Sequence, residues 1–412
     1  MDNPEPKLTA SSAGGAPLGF GEFVALVASM MALTALGIDS MLPALPAIGD
    51  SLGVTEPNHR QYIITTFLLG FAFAQLAYGP LSDRFGRRPI LLIALGAYVV
   101  TSAIAAVSGS FELFLLSRVA MGTAAAGARV VTVALVRDCY SGRAMARVMS
   151  LAFIVFMAAP ILAPNFGQLL MLVGSWRLIF WGIACVSALV LLWFWWRMPE
   201  TMPVEARQSL RIGRIIGDYG LILRDRAAVG YTLAIALISG GMYAFIASVQ
   251  QIMADVFHRP QWLTLLFAGV ASSMAVASFV NSRLVMKLGM RRISHSALAA
   301  MVALAAVHLA IAWSGFETLW SFAILQAAMM MCIGLANSNF SAMAMERMGA
   351  IAGTASSLQG FVTTLGGALI GALIGQAFDG TTVPLYAGFF AMGALSLAIV
   401  AVTERGKLFR PT

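Results

Sequence analysis

Apolar residues fill this chain in long runs, each roughly twenty to thirty residues, and short polar gaps between them hold most of the charge. Such runs match the reach of a helix across a hydrocarbon core of about 30 Å at about 1.5 Å per residue. The pattern predicts twelve spanning helices, near residues 20–45, 60–81, 89–108, 112–136, 146–172, 177–197, 227–254, 261–285, 292–314, 317–344, 350–378 and 383–403. No alternating ten-residue strand pattern competes with them, so helices must satisfy the backbone within the membrane. The expectation is an all-α polytopic membrane protein.

Composition agrees. Hydrophobic residues make up 59% of the 412 positions and charged residues 11%, more apolar surface than a soluble fold of this length can hide. The net charge of +8 does not point to nucleic acid, because the basic residues lie scattered in the gaps rather than on one face or tail. They read instead as topology determinants. With a cytoplasmic N-terminus, all of the 26 Lys and Arg except Arg60, Arg177, Arg259 outside and Arg118 and Arg129 within a helix fall on the cytoplasmic side. The expected location is the bacterial inner membrane, with both termini cytoplasmic. Residues 1–19 form a polar tail without a signal-peptide core, and 404–412 a second tail. Cys139, Cys185 and Cys332 are too widely spaced for a disulfide or metal framework, and four histidines add no zinc pattern.

The longest polar gap, 198–226, divides the chain into six-helix halves at 20–197 and 227–403. A worn repeat relates them. Gly79-Pro-Leu-Ser-Asp83-Arg84-Phe-Gly86-Arg87-Arg88-Pro89 follows the second helix, and Ser282-Arg-Leu-Val-Met286-Lys287-Leu-Gly289-Met-Arg291-Arg292 follows the eighth, with Asp83 replaced by Met286. Parallel repeats around a pore are a transporter architecture. In the first loop glycines permit a tight turn, arginines face the anionic leaflet, and Asp83 can meet a base or a helix N-terminus. Simple topology explains the arginines alone but not the whole string.

That string resembles the signature of the major facilitator superfamily. Arg118-x3-Gly122 in the fourth helix resembles that family's motif associated with proton coupling. Pro160-x3-Pro164-x2-Gly167 in the fifth is similar to its drug-antiporter motif, with glycines missing. Ile38-Asp39-Ser-Met-Leu42-Pro43-Ala44-Leu45-Pro46, Ala134-Leu135-Val136-Arg137-Asp138 and Ala352-Gly353-Thr354-Ala355-Ser356-Ser357-Leu358 resemble the bicyclomycin/chloramphenicol-resistance subfamily of drug:proton antiporters. The resemblance implies the major facilitator fold, alternating access, and multidrug or antibiotic export coupled to proton entry, without a cofactor.

Asp39 is the one acid well inside a predicted span. A lone carboxylate there must face a cavity, pair with a base, or carry a proton. Asp39 and Arg118 fall at similar depth, so the expectation is an ion pair in which Asp39 takes the transported proton and Arg118 is its electrostatic partner. The alternative is that Asp39 buttresses the first helix and Arg118 locks helices together. Arg129 lies eleven residues after Arg118, on nearly the same face; it either lines a polar cavity, favouring anionic or electron-rich substrates, or snorkels to the interface. Tyr62, Asn165, Tyr243, Gln250, Asn337 and Gln359 are further cavity candidates, interhelical bonding being the commoner use of such residues. Gly367, Gly371 and Gly375 share a face suited to close helix packing.

The expected partners are the lipid bilayer, a small-molecule substrate and protons, and a monomer suffices to contain the pathway. A nutrient–proton symporter is the nearest alternative. A membrane enzyme or receptor fits less well, since neither a catalytic motif nor a large extramembrane domain is visible.

Overall fold

The computed structural model describes residues 17–207 and 212–410. Its helices are α1 (Phe20–Asp39), α2 (Leu45–Ser51), α3 (Tyr62–Phe85), α4 (Arg87–Val107), α5 (Phe111–Cys139), α6 (Gly142–Val173), α7 (Arg177–Arg197), α8 (Ile212–Arg224), α9 (Arg226–Gln251), α10 (Leu263–Leu288), α11 (Met290–Ser314), α12 (Leu319–Met345), α13 (Ala352–Gln376) and α14 (Val383–Thr403). Among the described residues, twelve segments are long and apolar enough to cross a membrane. α2 extends the first of them, and α8 lies outside the set. No strand occurs among the described residues.

Two details depart from the run-length expectation. The first span is expected to stay helical to about residue 45, but α1 stops at Asp39 and passes through a 3-10 turn, Leu42–Ala44, before α2 begins. Pro43 and Pro46 lack the N–H groups that would bond back to residues 39 and 42, so the helix breaks there. The 198–226 linker, read as a polar gap, contains α8. Its apolar residues recur at helical spacing, and Ile222 is buried with Ala228, Met348 and Ala355. Thirteen residues are too few to span.

Several helix starts are capped by their own side chains. Ser110 accepts from the Leu113 amide at 3.2 Å, Asp225 from Ala228 at 2.8 Å, and Thr318 and Ser321 form a reciprocal capping box. The loops after α3 and α10 turn on Gly86 (φ 98°) and Gly289 (φ 78°), glycines in register in the two repeats. That backbone geometry disfavours any residue with a Cβ.

In the first six spans, α5 packs on α1, α3 and α4, while α7 packs on α4 and α1. In the last six, α9 packs on α12, α13 and α14, and α12 on α10 and α11. The two groups meet along α3–α13 and α6–α10. Close crossings rely on missing side chains. A Cβ on Gly122 would collide with the Phe67 carbonyl, and one on Gly167 with that of Ser40. Gly367 and Gly371 of the α13 stripe seat against Tyr243 of α9, and Gly375 against Gln61, just before α3. Large apolar side chains such as Leu172, Trp196, Trp313 and Phe316 remain exposed, as lipid-facing positions require.

Candidate functional site

Between the two groups lies a cavity of about 1460 Å³. It runs from Asp39 to residues at the face where both described termini lie, among them Asp83, Arg137, Asp218 and Gly353. The opposite, far face is closed by carboxamides. Gln251 of α9 accepts from Gln61 at 2.6 Å and donates to Asn58 at 2.9 Å; Gln61 also donates to the Gly375 carbonyl at 3.0 Å. Asn58 donates to the Phe378 and Gln376 carbonyls, and Gln376 donates back to the Asn58 carbonyl. Thr264 of α10 donates to Gln168 of α6 near the same end. At mid-depth Gln75 of α3 reaches Thr364 and the Gly360 carbonyl of α13. Among the described residues, no side-chain hydrogen bond joins the two groups at the terminal face.

Asp39 ends α1 with its side chain buried yet bordering the cavity. Its expected ion pair with Arg118 is absent. Arg118 is fully buried and donates instead to the carbonyls of Gly37 at 2.8 Å and Ile63 at 3.2 Å, with its guanidinium over the rings of Phe67 and Phe180. The reason is the helix break. Gly37 holds one of the last four carbonyls of α1, which lack intrahelical donors and attract a cation. Arg118 therefore ties α5 to α1 and α3, while Asp39 has no ion-pair or hydrogen-bond partner among the described residues.

Arg129 faces the cavity rather than the interface. Its guanidinium carbon lies 5.3 Å from the Phe156 ring and 5.9 Å from the Phe71 ring. Tyr243, Asn337, Gln359 and Pro160 line the same space, and Gln359 accepts a hydrogen bond from Ser341 at 3.1 Å. Three other candidates do not reach it. Tyr62 stacks on His59 at the far face. Asn165 points outward and bonds its own helix at Ile161. Gln250 is buried beside Gln251 and does not border the cavity. Rotation about the helix axis separates Tyr62 and Asn165 from the liners of their helices, whereas Gln250 shares the face of Ser239, Tyr243 and Ile246 and lies a turn deeper than they do; a single polar residue in an apolar run encodes neither. Pro164 also lies off the cavity, and α6 remains one helix through both prolines.

The loop after α3 is an ion-pair cluster rather than a leaflet contact alone. Arg87 is only 3% exposed and bonds Asp83 at 2.6 Å, Asp138 of α5 at 2.9 Å and Ser82 at 2.7 Å. Glu200, just after α7, accepts from the Arg87 and Arg88 amides, filling the N-terminus of α4 that Asp83 was a candidate to meet. Arg88 donates to the Met198 and Trp195 carbonyls, and Arg84 stays exposed over the Phe85 ring. Gly79 borders the cavity beside Ser357 of α13.

Sequence reading missed Asn58, Gln61 and Gln376 of the far-face carboxamide cluster, although they sit with Gln251 at the same-side ends of their spans. It also missed Glu317, just before α12, a second buried acid. Glu317 bonds His308 at 2.7 Å and accepts from Thr382, so it differs from Asp39 in being fully partnered.

A model of the Major Facilitator Superfamily matches residues 27–371. The chain is 32% identical to the bicyclomycin resistance protein homolog of Haemophilus influenzae over 375 residues, 90% of this chain and 92% of that relative. It is 32% identical to a chloramphenicol resistance protein of Pseudomonas aeruginosa over 288 residues, 68% of this chain and 66% of that one. Two solved structures share the fold. The xylose transporter XylE of E. coli, in a partially occluded inward open conformation, aligns with TM-score 0.73 at 12% identity over 92% of this chain and 98% of its own. The human organic anion transporter MFSD10 aligns with TM-score 0.66 at 20% identity over 93% of this chain and all of its own. Twelve spans around a central cavity, the glycine–acid–arginine loop after α3 and these relatives together place the chain in the Major Facilitator Superfamily, as a multi-pass membrane transporter rather than an enzyme.

Proposed function

We propose that this protein exports small drug-like molecules from the bacterial cytoplasm in exchange for protons, by alternating access across the inner membrane. The bias of Lys and Arg supports cytoplasmic termini, so the cavity faces the cytoplasm and the carboxamide cluster is the closed periplasmic gate. The printed names of the relatives, bicyclomycin and chloramphenicol resistance proteins, favour export of xenobiotics.

One observation carries the reading. Asp39 is a buried carboxyl at the closed end of a substrate-sized cavity, with no base or donor holding it in one charge state. Such a group either takes up a proton or draws a ligand, and a change in its charge can shift the balance between two packings of the bundle. Arg118 fixes the end of α1 on which that carboxyl stands, so its role is positional. A protonated Asp39 and a bound substrate exclude one another, and exchange follows from that exclusion. The proton gradient supplies the energy, and one chain holds the whole pathway.

The test is accumulation of drug in inverted vesicles with an imposed proton gradient. Asp39→Asn protein should insert and fold normally yet accumulate nothing beyond equilibrium. Uphill accumulation by that variant at the wild-type rate would remove Asp39 from the mechanism.

A further inference from the structure

Past α14 the chain turns back onto its own bundle. Arg405, Gly406 and Phe409 take φ of 54°, 73° and 63°. Glycine tolerates that region, but arginine and phenylalanine enter it at a cost, so contacts must hold the segment in place. Glu404 accepts from Tyr231 of α9, and from Arg291 of α11 at 3.0 Å. Further on, the Phe409 amide donates to Nδ1 of His295 of α11 at 3.2 Å, and the two rings set edge to face 5.9 Å apart. Leu408, beside Phe409, packs against the core.

His295 is fully buried, with the rings of Tyr231 and Phe340 at 6.5 Å and 6.2 Å. An imidazole nitrogen that accepts from an amide carries no proton, so this docking requires a neutral ring. Nε2 then bears the single proton, and it has no partner among the described residues. A second proton would turn Nδ1 into a donor facing the Phe409 donor. It would also leave a buried cation with neither N–H paired, which is costly. Docking and protonation therefore exclude one another.

We propose that His295 is a cytoplasmic pH switch: neutral, it holds residues 405–410 against the bundle, and protonated, it lets them go. The cytoplasmic placement rests on the topology read above; the switch itself does not. The surrounding charges leave the decision to the imidazole. Those that act on it are Glu404 and Arg291, which pair with each other. α9 presents Tyr231, whose hydroxyl is spent on Glu404, and α12 presents the apolar Phe340, while Glu346 past its end acts on Arg291. The charges of the segment itself, Arg405, Lys407 and Arg410, are basic, and an imidazolium repels them. Glu404 is held below the usual carboxylate range, so it stays ionised while a histidine titrates.

Linkage sets the sign and the size. An imidazole open to water titrates at about 6.5, whereas the docked geometry has no place for the proton. Docking is thus at full strength above that value and weakens below it. The ratio of released to docked segment should rise about tenfold between about pH 8 and about pH 5.5. Acidification loosens the tie that the segment makes between α9 and α11 at the end of α14. On the proton-exchange reading, this is the side to which protons are delivered.

The experiment follows amide hydrogen exchange in the peptide containing Phe409, using the purified protein in detergent across that pH range, beside a His295→Asn variant. Asparagine offers a side-chain oxygen to the same amide and cannot titrate. Comparing the two proteins at each pH cancels the intrinsic pH dependence of exchange. Wild-type protection should fall about tenfold relative to the variant from the top of the range to the bottom. A ratio that stays constant would overturn the proposal. Should the variant not fold, NMR of isotope-labelled histidine in wild type decides. His295 should show a bare Nδ1 while Phe409 is protected, and should gain its second proton as that protection is lost. A doubly protonated ring beneath a docked segment would overturn the switch.

Discussion

The two six-helix groups carry the same turn and use it differently. After α3, Gly86 reverses the chain and Arg87 swings inward onto Asp83 and Asp138. After α10, Gly289 makes the same reversal, but Met286 stands where the first repeat has Asp83 and is 89% exposed. Arg291 turns instead to Glu404, just past α14, which also accepts from Tyr231. The cavity shows the same asymmetry. The first group supplies its inner charges, Asp39 and Arg129, and the second supplies neutral polar groups, Tyr243, Asn337 and Gln359. The shared scaffold thus places the inner charges on one wall of the cavity and neutral polar groups on the other.

That division can be broken most severely at Asp39. Asp39→Asn should lower proton-driven export by about two orders of magnitude, the scale on which proton-transferring groups act. Gln359→Ala on the opposite wall should change apparent substrate affinity only a few-fold. Equal losses in both, read by vesicle transport, would abolish the asymmetry.

The repeated turn gives the next contrast. Arg87→Ala strands two acids and should cost about 2 kcal/mol of stability, allowing for the partial exposure of Asp83. Met286→Asp in the other repeat should stay within about 0.5 kcal/mol, because that side chain touches little. Thermal unfolding of both variants in one detergent measures the difference.

The carboxamide gate sharpens the comparison by asking what holds the groups together. Gln251→Ala removes bonds to Gln61 and Asn58 and should raise the population open at the far face by about tenfold. Distances between spin labels across that face report the shift, and an unchanged distribution would assign closure to apolar packing alone.

The smallest effect concerns Glu404. Burial pushes its carboxyl upward, but hydrogen bonds from Tyr231 and Arg291 outweigh this and hold it below the usual carboxylate range. A lowered acid stabilises the fold above the ordinary glutamate range, and that contribution disappears as pH falls through the lowered value. Glu404→Gln should therefore melt about 2 °C lower than wild type at pH 7. The gap should close as the medium is acidified below about pH 4, and a gap independent of pH would deny the charged interaction.

The spans were legible in the sequence because lipid demands long apolar runs, and run length survives without knowledge of contacts. The break after Asp39 was half legible. Pro43 and Pro46 were visible in the sequence, but the turn they impose, and the carbonyls it leaves for Arg118, depend on a second helix. α8 was hidden because its amphipathic spacing lies in a charged linker. In the site, Asp39 and Arg129 stood out because an ionisable residue within a span has few places to go. Tyr62 and Asn165 misled because neutral polar residues have many partners, their own helix included. The carboxamide gate escaped because each of its members looks ordinary until α3, α9 and α13 are brought together.

The central claim is that Asp39 yields its proton when substrate arrives. Purified protein in weakly buffered detergent, mixed with a transported drug and followed with a pH indicator, tests it directly. Wild type should release protons in proportion to substrate bound, and Asp39→Asn, binding the same drug, should release none. Equal release from both proteins, or none from wild type at saturating drug, would contradict it.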